Sequence, residues 1–322
     1  MKQTVKAIVP SGFWRIFRKA KHSLLRLIRW CLEKLGLVVT RKRDYYAPTP
    51  SEFELAANRL RWIRPSSLHG VDYDLDKMEA SLAQLCTNYL QEFLRLVPYE
   101  EMVKSGFGPG YPYVDAFMLY GMLRATQPKQ YLEVGSGLST AYACVALAHD
   151  PEGGKGCSIT CIEPFPFEHL RSLPNIRLIK SLVQDVPVEE FKKLGSGDVL
   201  FIDSSHILRL DGDVPFLFLE VLPQLAPGVI IHIHDIPFPF NIPYPAEYWT
   251  LVEHEQSPHW PMYWNEAMLV QALLAGNATF EIIQSLPLLR FHRESRLRSL
   301  VPFSKGIDAE PNTFSSLWLR KR

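Results

Sequence analysis

The sequence predicts an α/β fold: a mostly parallel, Rossmann-like sheet covered by helices on both faces, with helical segments ahead of it. Three observations predict it. From residue 130 onward, short and nearly continuous apolar runs alternate with helix-length segments, the pattern of strands buried on both faces and joined by crossover helices. The first run, Tyr131-Leu-Glu-Val, passes through Gly135-Ser-Gly137-Leu-Ser139-Thr140 into an Ala-rich helix, and strand, glycine turn and helix together open a βαβ unit. Finally, Glu163, Asp203 and Asp235 each fall just after an apolar run. That is the carboxyl edge where open α/β sheets place their sites.

Each element has its own reason. Pro48 and Pro50 end an amino-terminal arm, and Ser51 with Glu54 forms a capping box for a helix to about Ile63. A second helix, from Leu75 to Leu96, buries Leu82, Leu85, Tyr89, Phe93 and Leu96 at helical spacing. A Gly-, Pro- and Tyr-rich loop, Gly106 to Tyr113, leads to a helix over Asp115–Ala125. Strands are expected at 130–134, 158–162, 176–179, 199–202, 229–233 and 280–283, with a last one at 314–319. Helices are expected at 140–148, 188–194, 215–222 and 266–274. These elements divide the chain into an arm (1–45), a helical extension (46–127) and the sheet domain (128–322). The last carries an aromatic and Pro-rich insert at 236–265.

Composition narrows the class. A hydrophobic share of 47% and a charged share of 21% are ordinary for a folded domain. Cysteines at 31, 86, 144, 157 and 161 form no C-x-x-C pair and read as reduced thiols of a cytoplasmic protein. The net charge of +1 hides an asymmetry, because residues 1–43 hold twelve Lys or Arg against Glu33, a local charge of +11. Arg26, Arg29, Glu33 and Lys34 interrupt its apolar stretches, so neither a secretory h-region nor a membrane span of roughly 18 apolar residues is present. Instead Phe13, Phe17, Ala20, Leu24, Leu27, Cys31 and Leu35 recur on one helical face, with basic residues opposite and tryptophans at 14 and 30. Residues 13–35 therefore suit either the anionic surface of a membrane, as a peripheral contact at its inner face, or packing on the protein itself or a partner. No feature fixes an oligomeric state.

The glycine turn suits a nucleotide-bearing cofactor, since Gly135 and Gly137 allow close backbone approach and the helix behind them presents free N–H groups. A dinucleotide fingerprint wants Gly or Ala at the sixth position, here Thr140. Glu133, ahead of the turn, suits a cofactor with a cationic end. Ser136 and Ser139 complete the turn. Glu163, 26 residues beyond Gly137, is placed to accept hydrogen bonds from ribose hydroxyls. Gln184 and Asp185 follow the third strand, where an adenine ring ends. Asp203-Ser-Ser-His206 and His234-Asp235 follow the fourth and fifth strands, and all four ionisable residues are expected to share one crevice. His232 is expected inside the sheet, satisfied by a neighbour. The insert reads as wall or lid of an acceptor pocket, with Tyr248, Trp264 and Glu266 contributing and Tyr111 and Tyr113 closing the other side.

Residues from about 107 to 284 resemble a class I S-adenosylmethionine-dependent methyltransferase. The carriers are Glu-Val-Gly-Ser-Gly, Ile-Glu-Pro, Phe-Ile-Asp-Ser-Ser-His and Leu-Ala-Pro-Gly-Val-Ile-Ile-His-Ile-His-Asp. They are similar to a bacterial small-molecule family related to catechol-type O-methyltransferases. The resemblance implies a seven-stranded sheet of order 3-2-1-4-5-7-6, S-adenosyl-L-methionine as cofactor and a small-molecule or lipid- or sugar-linked acceptor methylated on oxygen. A third glycine common in such loops is Ser139 here, which can cap the helix instead. Catechol-type enzymes hold a divalent ion with an Asp after strand 4 and an acid–amide pair after strand 5. Asp203 and Asp235 match, but Ile236 stands at the amide, so His234 or His206 must replace it, which weakens the case for magnesium and admits a softer ion such as zinc, manganese or iron. Without a metal, His206 or His234 would be the general base.

Three rivals differ in class. A nucleic-acid methyltransferase would use the basic arm on phosphates, but base-amine enzymes carry Asn or Asp with Pro-Pro-aromatic after strand 4, against Asp-Ser-Ser-His here. A metal-dependent oxygenase would use two His and a carboxylate, usually as H-x-D, and leaves the glycine turn unexplained. A non-catalytic protein on the same fold would bind no cofactor.

Overall fold

The structure, a computed structural model, describes residues 23–28, 30–37, 49–107, 110–148, 156–173, 175–243, 246, 250, 262–304 and 313–322. Two compact units divide it, residues 1–58 and 59–322.

In the first unit, residues 23–28 and 30–34 are helical. Leu24, Leu27 and Trp30 are 57–58% exposed, and Leu35 is 73% exposed. Phe13, Trp14, Phe17 and Ala20 lie outside the described residues. The expected capping box is present. Glu54 N–H donates to Ser51 Oγ at 3.3 Å, Ser51 N–H donates to Glu54 Oε2 at 2.9 Å, and the helix they start runs over Glu52–Ala57.

The second unit is built on one seven-stranded sheet. Its strands are β1 (Gln130–Val134), β2 (Ser158–Ile162), β3 (Ile176–Ile179), β4 (Val199–Ile202), β5 (Ile230–Ile233), β6 (Phe280–Ser285) and β7 (Leu317–Lys321). The order is β3-β2-β1-β4-β5-β7-β6, with β7 antiparallel to both neighbours and the rest parallel. Register fixes the functional edge. Val134 pairs with Ile162 and with Ile202, Ile202 with Ile233, and Ile233 with Leu317. The residues just past these partners, namely Gly135, Glu163, Asp203, His234 and, before antiparallel β7, Ser316, therefore lie side by side along one rim.

Five longer helices accompany the sheet: α1 (Leu75–Phe93), α2 (Tyr113–Thr126), α3 (Leu138–Leu147), α4 (Glu266–Leu274) and α5 (Leu286–Leu300). The Asp74 carboxylate caps α1, accepting from the N–H groups of Asp76 and Lys77 at 3.0 Å each. Helix α2 is buried from Val114 to Leu123, with Asp115 the one charged residue in that span. The expected helix after β4 starts at Asp213 but passes into a wide π turn over Leu217–Val221 and a 3-10 turn ending at Gln224. Pro223 there has no N–H to continue the ladder.

Two expectations need correction. Helix α5 was not expected, although Ser285 caps it, accepting from Leu288 N–H at 3.4 Å, and Pro287 sits in its first turn, a start signal that sequence alone carries. The last strand begins at Leu317, not 314. The N–H groups of Phe314, Ser315 and Ser316 turn to Asp115 instead of a strand partner, and Phe314 has φ +65°. Among the described residues no helix is long and apolar enough to cross a membrane.

Candidate active site

The glycine turn and the charged cluster belong to one crevice. Gly135 has φ +81°, and a Cβ there would lie 1.9 Å from the carbonyl oxygen of Asp203, so only glycine fits between the tips of β1 and β4. The Glu163 carboxylate at the β2 tip accepts from Ser136 N–H at 3.2 Å and from Phe165 N–H at 2.7 Å, tying the second tip to the turn. Thr140 Oγ1 accepts from Gly137 N–H at 3.1 Å. Ser139 does not cap α3. Its hydroxyl donates to Glu133 Oε1 at 2.5 Å. Glu133 is fully buried, and that burial, only partly offset by hydroxyl donors such as Ser139, pushes its carboxyl up to about 8. Gln184 donates to the Asp211 carbonyl at 3.2 Å, while its Oε1 is buried without a partner among the described residues. Asp185 is exposed.

Beyond β4 and β5, four side chains interlock around His206. Its Nε2 lies 3.2 Å from Asp203 Oδ1 and 3.3 Å from Asp235 Oδ2, and its Nδ1 lies 2.8 Å from Glu266 Oε2. His234 Nδ1 is 3.1 Å from Asp235 Oδ1 and 3.6 Å from Asp203 Oδ2. Burial alone would strip protons from both imidazoles, but the carboxylates outweigh it. His206 is held well above its usual value, chiefly by Asp203 and Glu266, and His234 is raised to about 9 by Asp235 and Asp203. Asp203 is held far below the usual carboxylate range despite its burial, by His234 and His206. Burial raises Asp235 and Glu266. His206 and Asp235 both have φ +59°, an uncommon backbone state for such residues and one that concentrates at functional sites.

One oxygen each of Asp203 and Asp235 and one nitrogen of His206 lie within 4.8 Å of one another, a spacing that could hold a metal ion. Of the two imidazoles that the sequence leaves open for that set, His234 and His206, the cluster takes His206. The structure instead places His234 behind the carboxylates, fully buried, with Nε2 3.2 Å from Ser315 Oγ. His232 is inside the sheet as expected, but neither ring nitrogen has a hydrogen-bond partner among the described residues. It is packed between Phe201 and Trp318, ring centroids 4.6 and 4.4 Å away, and burial lowers it well below the usual imidazole value.

The expected acceptor residues separate. Trp264 packs at a tilt against His206, centroids 4.4 Å apart, and Glu266 Oε2 lies 2.8 Å from His206 Nδ1. Tyr111 is buried against His234, centroids 4.6 Å apart, and Tyr113 packs on Phe93, Tyr99 and Phe303. Tyr111 is thus buried, and Tyr113 half-buried, against other rings. Tyr248 lies outside the described residues.

Two residues escaped the sequence reading. Asp115, fully buried on α2, accepts from the N–H groups of Phe314, Ser315 and Ser316 at 2.9–3.1 Å and from the Ser316 hydroxyl. The turn so held aims Ser315 Oγ at Asp235 Oδ1, 3.0 Å away. A lone carboxylate inside an apolar helical run was the available signal, because a charge is rarely buried without partners.

Residues 132–236 match the family model described as a methyltransferase domain. No curated protein matches. Among solved structures, an O-methyltransferase from Bacillus cereus in complex with SAH is 13% identical, with TM-score 0.38, covering 65% of this chain and 91% of its own. The O-methyltransferase TomG from Streptomyces achromogenes, in complex with SAM, is 15% identical with TM-score 0.34, covering 71% and 86%. SAH-bound Podospora anserina methyltransferase PaMTH1 is 14% identical with TM-score 0.33, covering 86% and 99%. Likenesses this distant say nothing of the acceptor; the weight rests on the strand order, the glycine turn and the matched segment. Residues 132–236 thus carry the match to a methyltransferase domain, on a sheet whose strand order is the one that the resemblance implied.

Proposed function

We propose that this protein transfers a methyl group from S-adenosylmethionine to a hydroxyl of a small molecule. The observation that supports it most is the contact between Gly135 and the Asp203 backbone. It sets the cofactor turn directly beside a cluster rich in carboxylates, and a sulfonium and an ammonium both favour negative surroundings. Gly135, Ser136, Gly137 and Thr140 form the cofactor turn. Glu163 meets the ribose, and the unpartnered Gln184 Oε1 is an acceptor for the exocyclic amine of adenine. Glu133 acts through Ser139 and the first turn of α3. Transfer is an in-line displacement, so alignment of hydroxyl, methyl and sulfur is the main task of the site.

Asp203, His206 and Asp235 fit a divalent ion, and two carboxylates with one imidazole suit manganese, iron or zinc. Such an ion, when bound, lowers the pKa of the acceptor hydroxyl. Calorimetry with S-adenosylmethionine tests the central reading. Measurable binding is expected, weakened about fivefold or more in Glu133→Ala, since the buried Ser139 hydroxyl at the first turn of α3 then loses its acceptor, and a buried donor left without a partner costs about 1–3 kcal/mol. Equal affinity of variant and parent would remove Glu133 from the cofactor site, and absence of binding would refute the methyl-transfer reading.

A second reading concerns the arm. Exposed Leu24, Leu27, Trp30 and Leu35, on a segment of charge +11 over residues 1–43, favour contact with anionic lipid. Deleting residues 1–43 is expected to abolish sedimentation with phosphatidylserine vesicles while sparing cofactor binding. Unaltered partitioning would defeat the idea.

A further inference from the structure

We propose that Glu266 is the positioning residue of the candidate metal centre: its carboxylate accepts the Nδ1 proton of His206 and so presents Nε2, as a lone pair, to the divalent ion that Asp203 and Asp235 would share. The inference rests on the metal-assisted form of the methyl-transfer reading above. It adds a residue outside the donor set that decides how firmly an ion is held.

Glu266 opens α4, 60 residues beyond His206, and is 1% exposed. Its Oε2 lies 2.8 Å from His206 Nδ1, the length of a charge-assisted hydrogen bond. Imidazole is ordinarily the stronger base of the two, so the proton between them sits on Nδ1 and the carboxylate accepts it. The other ring nitrogen, Nε2, then points at Asp203 Oδ1 and Asp235 Oδ2, 3.2 and 3.3 Å away. Those are the residues whose donor atoms gather within 4.8 Å.

The neighbours of Glu266 complete the hold. The N–H groups of Asn265 and Glu266 donate to the His206 carbonyl at 3.0 and 3.2 Å, and Asn265 Oδ1 accepts from Leu208 N–H at 2.6 Å. Trp264 lies against the imidazole, ring centroids 4.4 Å apart. Three successive residues thus fix the backbone, the ring and one nitrogen of a residue whose φ of +59° is itself costly. Nε2 is left to the aspartates.

Fold stability is a poor reason for such a pair. Glu266 Oε1 is buried with no hydrogen-bond partner among the described residues, and burying a carboxylate against a single imidazole gains little over an apolar side chain of the same volume. The arrangement is instead the one that serves a ligating histidine, whose second nitrogen donates to a carboxylate that fixes the ring and raises its basicity towards a metal.

The test uses the full chain with manganese and zinc. Calorimetry is expected to show manganese binding to the parent, weakened about ten- to a hundredfold in Glu266→Ala, the range for loss of such a partner. Glu266→Gln keeps an acceptor oxygen without the charge and should fall between the two. Met268→Ala, on the exposed side of the same helix, should bind as the parent does. Nitrogen-15 spectra of histidine-labelled, zinc-bound parent, with His206 assigned through His206→Gln, should show a proton on Nδ1 and none on Nε2. Melting curves identify a variant that fails to fold, and the parent spectra then decide. Absence of metal binding by the parent, parental affinity in folded Glu266→Ala, an equal loss in Met268→Ala, or a proton on Nε2 in the zinc form would overturn the inference. Calorimetry with S-adenosylmethionine separates the two levels. Cofactor binding beside a metal affinity indifferent to Glu266 refutes the positioning role alone, whereas a Glu266-dependent metal site without cofactor binding refutes the methyl-transfer reading.

Discussion

Asp203→Asn is expected to slow labelled methyl transfer by about a thousandfold, within the range that a positioned acid–base group supplies, while the circular dichroism spectrum is retained. The expectation comes from what the carboxylate touches. One oxygen lies 3.2 Å from His206 Nε2 and the other 3.6 Å from His234 Nδ1. An amide keeps the shape but removes the charge that both imidazoles face, and it turns an NH2 towards one of them. The acceptor hydroxyl then loses the ionised partner beside it, and a divalent ion loses one of its two carboxylate ligands. Titration with manganese checks the second consequence, since affinity should fall together with the rate if the ion is used. If the rate falls and manganese binds neither protein, Asp203 acts through His206 alone. A rate within a few-fold of the parent would exclude the carboxylate from the chemistry altogether.

The parallel core of the sheet was legible because its strands are written twice, once as apolar runs and again as the residues that end them. β1, β2, β3 and β4 fall at the expected residues, and β5 starts one residue later. Past β5 the pattern weakens for a physical reason. Strand β7 is antiparallel and flanked by a segment whose backbone donors go to a side chain, so Phe314, Ser315 and Ser316 read as strand by composition and are a turn by hydrogen bonding. Helix α5 was hidden by its polarity. Beyond Leu289 it carries Arg290, Arg293, Arg296 and Arg298, and the middle two pair with Asp76 and Glu79 of α1, not with an apolar stripe.

In the site, sequence placed the ionisable groups at the right edge but could not say which imidazole stands among the carboxylates. His232 and His234 alternate with Ile231 and Ile233 on a strand and so share one face, centroids 5.9 Å apart. Both are fully buried. His206 sits on a loop and reaches the carboxylates only because its backbone takes a left-handed turn, φ +59°, and because its carbonyl accepts from the N–H groups of Asn265 and Glu266 at 3.0 and 3.2 Å. That partnership spans about sixty residues of chain, beyond the reach of any local pattern. Trp264 and Glu266, expected in an acceptor wall, both contact His206.

Asp115→Ala is expected to lower stability by about 3 kcal/mol or more, because each buried donor left without a partner costs about 1–3 kcal/mol and three backbone N–H groups lose theirs. In a unit of this size that is a fall of about 6–12 °C in melting temperature. The more telling variant is Asp115→Asn. Oδ1 accepts from Ser315 N–H, Ser316 N–H and the Ser316 hydroxyl, and Oδ2 accepts from Phe314 N–H at 3.0 Å. An asparagine oxygen can serve the first set, but its NH2 then meets the Phe314 N–H donor to donor. The loss of stability should therefore be smaller than in the alanine variant yet clear, and it should fall on the 313–316 turn, where hydrogen exchange at Phe314 reports it. Ser315 rides on that turn, so its hydroxyl should leave Asp235, and transfer should weaken in proportion to the turn's disorder. Scanning calorimetry on both variants, beside exchange rates at Phe314 and Ser316, checks the chain of cause. Parental melting temperatures and exchange rates would show that the turn is held by other contacts, and that a fully buried carboxylate on α2 does not set the position of the catalytic rim.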